Sequence, residues 1–187
     1  MSPWSIKRLS KAVENGAVIA YPTDTIWGFG CHPMLASSVI RILKIKHRPV
    51  AKGLILLSSQ MEYCKPYINP GLSREQIDLI RQENRHPVTW LIPASRKCPI
   101  WLRGEFSTVA VRITNHPFIE ALCNEMHSPI VSTSANRHRH STIRNALQAR
   151  RQFVGELDFI VTGFNRGTNQ ASEIKSLATG HTIRAAL

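Results

Sequence analysis

Apolar residues recur along this chain with two periods, and the periods mark its elements. Ile6, Leu9 and Val13 share one face of a helix that Ser5 can cap and Gly16 can end. Residues 17–21 form a short apolar run, which predicts a buried strand. Pro22 to Cys31 reads as a loop rich in Thr and Gly. Leu35, Val39, Ile40 and Leu43 predict a helix over 35–45, and residues 53–57 a second buried strand. Ser73-Arg-Glu-Gln76 is a capping box that opens a helix reaching about Asn84. Strands follow at 88–92 and 108–113, a helix at 117–126, a strand at 129–133, a helix at 142–151 and a strand at 157–161. Residues 174–177 and 182–185 can close as a pair around Gly180.

Strands that alternate with helices predict an α/β domain. Their spacing is uneven and several neighbouring strands lack a helix between them, so a mixed sheet is expected rather than a purely parallel one. No repeat, low-complexity tract or Gly/Ser linker interrupts the chain, which reads as one domain over 1–187.

Composition narrows the functional classes. Of 187 residues, 43% are hydrophobic and 19% charged, which excludes a disordered polyelectrolyte. Lys and Arg outnumber Asp and Glu by 24 to 12, and the net charge of +12 favours polyanionic partners such as nucleotides, RNA or acidic lipid. Apolar stretches such as 54–57 fall far short of the roughly 20 residues a spanning helix needs. Residues 18–20 are too short for an export core, and Lys7, Arg8, Lys11 and Glu14 precede them. The expectation is a cytoplasmic protein with no membrane partner. Cys31, Cys64, Cys98 and Cys123 form no C-x-x-C pair and should be reduced thiols.

Four segments carry candidate chemistry. Tyr21-Pro-Thr-Asp-Thr-Ile-Trp-Gly-Phe-Gly-Cys31 leaves a strand with hydroxyls, a carboxylate and two glycines. It is either a tight turn or a ligand loop at a strand end. Lys44, Lys46, Arg48 and Lys52 place four cations in nine residues. They either complement a helix C-terminus or clamp phosphates. Ser132-Thr-Ser-Ala-Asn136 follows a buried strand and either caps the next helix or meets a polar ligand. Arg112 lies inside Val109-Ala-Val-Arg-Ile113; strand alternation favours a solvent-facing side chain over one that faces a site.

Taken in order, these segments resemble the YrdC family of threonylcarbamoyl-AMP synthases, especially its short single-domain TsaC type. The resemblance rests on Tyr21 to Cys31, Lys46-His-Arg48-Pro49, Lys52-Gly-Leu54, Ala110-Val-Arg112, Ser132 to Asn136, and Ser172-Glu-Ile-Lys-Ser-Leu177 with Ile183-Arg184. It spans about residues 3 to 185. It implies a twisted mixed sheet flanked by helices, with a concave, positively charged face. It implies formation of L-threonylcarbamoyladenylate and pyrophosphate from L-threonine, bicarbonate or CO2, and ATP. That product feeds N6-threonylcarbamoylation of adenosine 37 in tRNAs that read ANN codons, through a partner transferase complex.

The resemblance also assigns residues. Lys46, Arg48, Ser134 and Asn136 match the catalytic set at the nucleotide and carbamate end. Lys52, Thr108, Thr142 and Arg184 join Arg48, Ser134 and Asn136 as ATP contacts. Thr25, Arg112, Ser132 and Ser172 hold threonine, with Arg112 on its carboxylate. Mg2+ accompanies the triphosphate, held mainly by phosphates and water, with no protein metal cage.

This chain departs from the family in several places. After Asn136 the common x-S-G becomes Arg137-His-Arg-His140, which bears on the placing of Thr142. Asn169-Gln-Ala-Ser172 replaces N-P-S, Arg85-His-Pro-Val-Thr89 lacks a glycine, and Trp27 replaces Tyr or Phe. His138 and His140 raise a metal question without a third ligand, and Cys31 reads as packing. From Met126 to Gly155 there is no acid, while Arg137, Arg139, Arg144, Arg150 and Arg151 are present. That stretch is either a solvated basic face or a contact for tRNA or double-stranded RNA. The alternative function is therefore an RNA-binding module in tRNA or rRNA maturation. Carbamoyl-phosphate processing, as in related hydrogenase maturation domains, lacks the zinc-finger cysteines it would need.

Overall fold

The computed structural model describes residues 1–82, 86–163, 165 and 170–186. The first helix, α1 (Pro3–Glu14), begins earlier than its apolar face suggests. Ser2 caps it by accepting from Ser5 N at 3.3 Å, and Pro3 fits the first turn, where no intrahelical N–H is needed. Strand β1 (Ile19–Tyr21) then pairs antiparallel with β2 (Gly28–Gly30), which lies in the segment read as a loop. Gly-Phe-Gly carries no strand signal of its own. A side chain at Gly30 would put its Cβ 2.7 Å from both Tyr21 Cε1 and the Val131 carbonyl, so close approach demands glycine there.

Helix α2 (Ala36–Lys46) ends at His47 in the left-handed region, and a 3-10 turn over Val50–Lys52 leads to β3 (Ile55–Ser58). A second 3-10 turn, Met61–Cys64, precedes α3 (Arg74–Arg81), whose capping box is complete: Gln76 N donates to Ser73 Oγ at 3.3 Å and Ser73 N to Gln76 Oε1 at 3.0 Å. The expected helix end at Asn84 and the Arg85 departure lie outside the described residues, as does Asn169. Then come β4 (Val88–Pro93), the short α4 (Ile100–Arg103), β5 (Thr108–Ile113), α5 (Pro117–Met126) and β6 (Ile130–Ser134). Helix α6 (Ala146–Gln152) starts four residues later than its apolar spacing predicts, because Asn145 is the residue that caps it. Two-residue β7 (Phe159–Ile160) and the antiparallel pair β8 (Glu173–Ser176) and β9 (Thr182–Arg184) complete the fold.

Among the described residues, nine strands form one sheet in the order β7-β1-β2-β6-β3-β5-β4-β8-β9. The pairs β7–β1, β3–β5 and β4–β8 are parallel and the others antiparallel, so the sheet is mixed as expected. Period-two alternation sends successive side chains to opposite layers. Phe29, Leu56, Val109, Val111 and Val131 enter the larger core with Val39, Ile42 and Leu43 of α2, Leu102 and Phe153. On the other face, Ile19, Tyr21, Leu57 and Ile130 pack under Leu9 and Val13 of α1 and Ile119, Leu122 and Cys123 of α5.

Helices α1 and α5 cover only part of that second face. Two residues along from Leu57 and Ile130, the same face presents Ile55 and Ser132, which lie opposite each other in register, and Ile55 also pairs with Ala110. Ala110 in turn pairs with Leu91. This uncovered row across β6, β3, β5 and β4 is the floor of a cavity. All four cysteines are buried free thiols, and burial pushes the Cys31 thiol far above its ordinary range, which fits packing rather than a nucleophile.

Candidate functional site

The cavity holds about 400 Å³, within the range of small-molecule sites. Thr25, Arg48, Lys52, Thr108, Arg112, Ser132, Ser134, Thr142, Ser172 and Arg184 line it, drawn from segments spread over most of the chain. Lys46 and Asn136 stand behind its wall. Thr142 reaches it from the loop before α6, so the Arg137–His140 departure leaves Thr142 at the cavity.

Arg112 is 4% exposed, which corrects the solvent-facing reading. Alternation placed it opposite Val111, and the face it shares with Ala110 is the one left open as the cavity. Its Nη1 donates to Thr25 Oγ1 at 3.1 Å, and its Nη2 lies 3.1 Å from Asp24 Oδ1. The Thr23–Ile26 turn is itself locked: Thr25 N donates to Thr23 Oγ1 at 2.9 Å, and Thr23 Oγ1 donates to the Ile26 carbonyl at 2.9 Å.

Arg48 follows the left-handed His47, and its guanidinium is fixed by the Lys52 and Gly53 carbonyls at 3.1–3.3 Å. Gly53 has φ +59, and a Cβ there would press on the Arg103 and Leu102 carbonyls at 3.0 and 3.1 Å. Arg184 Nη2 donates to the Ser172 carbonyl at 2.7 Å, while Ser172 and Thr89 share a hydroxyl–hydroxyl bond of 2.8 Å. Burial, then the charge of Arg184, push Arg48 below its ordinary value; burial, then Arg112, do the same to Arg184. Cations that feel one another in a partly dry cleft are strong anion receptors.

Lys46 is 5% exposed. Its ammonium donates to the Ser134 carbonyl and, at 3.0 Å each, to the carbonyl and Oδ1 of Asn136, with Ser134 Oγ at 3.3 Å. Ser134 Oγ donates to Asn136 Oδ1 at 2.7 Å, and Asn136 Nδ2 to the His140 carbonyl at 2.6 Å. Burial first, and Arg48 second, bring Lys46 down to about 7. Lys46 thus ties down the Ser134–Asn136 turn, while Arg48, Lys52, Arg112 and Arg184 face the cavity.

Sequence reasoning passed over Asp24, Arg103, Phe106 and Thr89. Asp24 stood inside a quoted motif, but its partner Arg112 is 88 residues away and joined only by the fold. Thr89 meets Ser172 because β4 pairs with β8. Among the described residues no group of three His, Cys, Asp or Glu could hold a metal, and His138 and His140 are exposed. No helix among the described residues is long and apolar enough to cross a membrane.

Comparison with known proteins places this geometry. The Sua5/YciO/YrdC family model, described as "Telomere recombination", matches residues 11–186. A threonylcarbamoyl-AMP synthase of Cellvibrio japonicus is 38% identical, covering 98% of this chain and 99% of its own. A threonylcarbamoyl-AMP synthase of Vibrio campbellii is 36% identical, covering 96% and 98%. Among solved structures, P. abyssi Sua5 complexed with L-threonine superposes with a TM-score of 0.88 at 25% identity over 97% of this chain. This chain spans about half the length of that Sua5, 53%. E. coli YciO shares the fold, with a TM-score of 0.86 at 20% identity over 100% of this chain and 91% of its own.

Proposed function

We infer the function from one premise: this chain belongs to the Sua5/YciO/YrdC family. It is an enzyme, a threonylcarbamoyl-AMP synthase of the nucleotidyltransferase kind. It forms L-threonylcarbamoyl-AMP and pyrophosphate from L-threonine, bicarbonate or CO2, and ATP, and the product supplies N6-threonylcarbamoyladenosine in tRNA. The observation that carries the residue roles is the convergence of cations and hydroxyls on one cavity of about 400 Å³.

The roles follow from charge. The threonine amine becomes a carbamate, and a carbamate oxygen forms a bond to the α-phosphorus as the bond to pyrophosphate breaks. Little covalent work falls to the protein; alignment and neutralisation of phosphate charge carry the rate. Arg48, Lys52 and Arg184 grip the triphosphate, with Thr108 and Thr142 beside it. Arg112 takes the threonine carboxylate; Thr25, Ser132 and Ser172 meet the polar groups of the amino acid. Lys46, through Ser134 and Asn136, holds the wall at the carbamate end.

Mg2+ would be held by the triphosphate that Arg48, Lys52 and Arg184 grip and would neutralise phosphate charge there; among the described residues the donor set around the cavity is hydroxyls and cations. The product passes to a tRNA-modifying transferase complex in the cytoplasm. The basic stretch from Arg137 to Arg151 is the surface for any direct contact with tRNA or double-stranded RNA. The test is pyrophosphate release from ATP that requires both threonine and bicarbonate. No release, with RNA still shifted on a gel, would hand the function to the RNA-binding reading.

A further inference from the structure

Among the described residues, the charged side chains that line the cavity are Arg48, Lys52, Arg103, Arg112 and Arg184, all cationic. Such a wall suits a triphosphate and a carboxylate. It repels the ammonium that every free α-amino acid carries at neutral pH. Among the described residues, Asp24 is the one carboxylate ion-paired to a cavity-lining cation. We propose that Asp24 binds the α-ammonium of the substrate, so that the pocket reads an amino acid rather than a hydroxy acid. The proposal rests on the threonine site described above.

Three observations carry it. Asp24 Oδ1 lies 3.1 Å from Arg112 Nη2, and the two side chains are 15% and 5% exposed. A carboxylate is costly to desolvate for one ion pair alone, and a single exposed aspartate would be cheaper if nothing else called for it. Second, Asp24 is held in place: Thr23 and Thr25 lock the turn on either side of it, and Thr25 Oγ1 also accepts from Arg112. Third, the α-ammonium sits on the carbon that bears the carboxylate. A ligand whose carboxylate rests on Arg112 therefore brings its ammonium to the edge of that guanidinium, and Asp24 is the carboxylate paired there, next in the chain to the cavity-lining Thr25.

A competing role has the opposite sign. If Asp24 only occupied Arg112 until threonine displaced it, neutralising Asp24 would tighten threonine binding. A purely orienting role would weaken every carboxylate alike, amine or not.

The experiment is calorimetric titration of the full chain with L-threonine and with (R)-3-hydroxybutanoate, which lacks only the amine. Wild type should prefer threonine by about tenfold or more, the scale of one charge-assisted hydrogen bond. Asp24→Asn and Asp24→Ser should each bring the two affinities to within about threefold, chiefly by weakening threonine, and Asp24→Glu should recover part of the preference. Either neutral variant suffices if the other fails to fold. A neutral variant that keeps the wild-type preference, or binds threonine more tightly, overturns this inference alone. Wild type that binds neither acid overturns the threonine site and the inference with it.

Discussion

Replacing Arg112 by Lys keeps one positive charge and removes a planar fork. The fork matters here because its two ends do different work: Nη1 serves Thr25 Oγ1 and Nη2 serves Asp24 Oδ1, each at 3.1 Å, in a side chain that is 4% exposed. A lysine offers one nitrogen and cannot hold both ends in that geometry. With the fork gone, the threonine carboxylate loses one charge-assisted hydrogen bond, about 1.5–3 kcal/mol, which corresponds to a rise in the threonine KM of about 10- to 100-fold. Arg48, Lys52 and Arg184 keep their carbonyl anchors or their cavity positions, so the ATP KM should move by less than about threefold, below 1 kcal/mol. The assay is initial-rate pyrophosphate release with each substrate varied while the others are saturating. Arg112→Ala goes further and strands the Asp24 carboxylate, at a cost of about 3–5 kcal/mol in urea unfolding. Equal rises in both KM values, or a larger rise for ATP, would refute the assignment of Arg112. An Arg112→Ala chain as stable as wild type would refute the buried pair.

Other expectations follow from the same geometry. Arg48→Ala should cut ATP-dependent turnover by about tenfold or more through lost phosphate stabilisation, with the far-UV spectrum intact; unchanged turnover would remove Arg48 from the phosphate clamp. Gly30→Ala sets a Cβ 2.7 Å from the Val131 carbonyl and from the Tyr21 ring. It should cost about 1–3 kcal/mol of stability, read as a lower melting temperature, and an unchanged melt would contradict the register of β1, β2 and β6. Lys46 has its folded pKa lowered from 10.5 to about 7 by burial first and Arg48 second. The unfolded chain therefore binds more protons than the folded one between those values, so stability should rise with pH across that window. The contribution is up to about 1.4 kcal/mol per pH unit. Urea unfolding at several pH values should show this slope in wild type and not in Lys46→Met; parallel slopes would refute it.

How much of this was written in the residues differs from element to element. Thr108–Ile113 and Pro117–Met126 were legible to their limits. A run of β-branched residues bounds the first, and a proline at the first helical turn opens the second. The capping box at Ser73 named its helix start because its two hydrogen bonds are local. Strand β2 was invisible, since Gly28-Phe-Gly30 becomes a strand only between β1 and β6. The start of α6 was misplaced because apolar spacing alone does not reveal which polar residue caps.

The site divides in the same way. The cations and hydroxyls stood out as motifs, and their order along the chain marked the family before any fold was known. Which of them face a ligand did not. Alternation within β5 put Arg112 and Val111 on opposite faces, yet it cannot say which face a helix will cover, and that choice turned a nominally solvated arginine into a buried one. Lys46 stood in the sequence as one of a run of cations, and its bonds to residues 88 and 90 positions away came only with the fold. Asp24 acquired its partner only when β5 came alongside the Thr23–Ile26 turn. Local order, chemical inventory and family were properties of the chain itself, because they depend on near neighbours and residue type. Burial, charge pairing and the cavity belonged to the tertiary structure, because they arise where distant segments share one sheet face that α1 and α5 leave partly open.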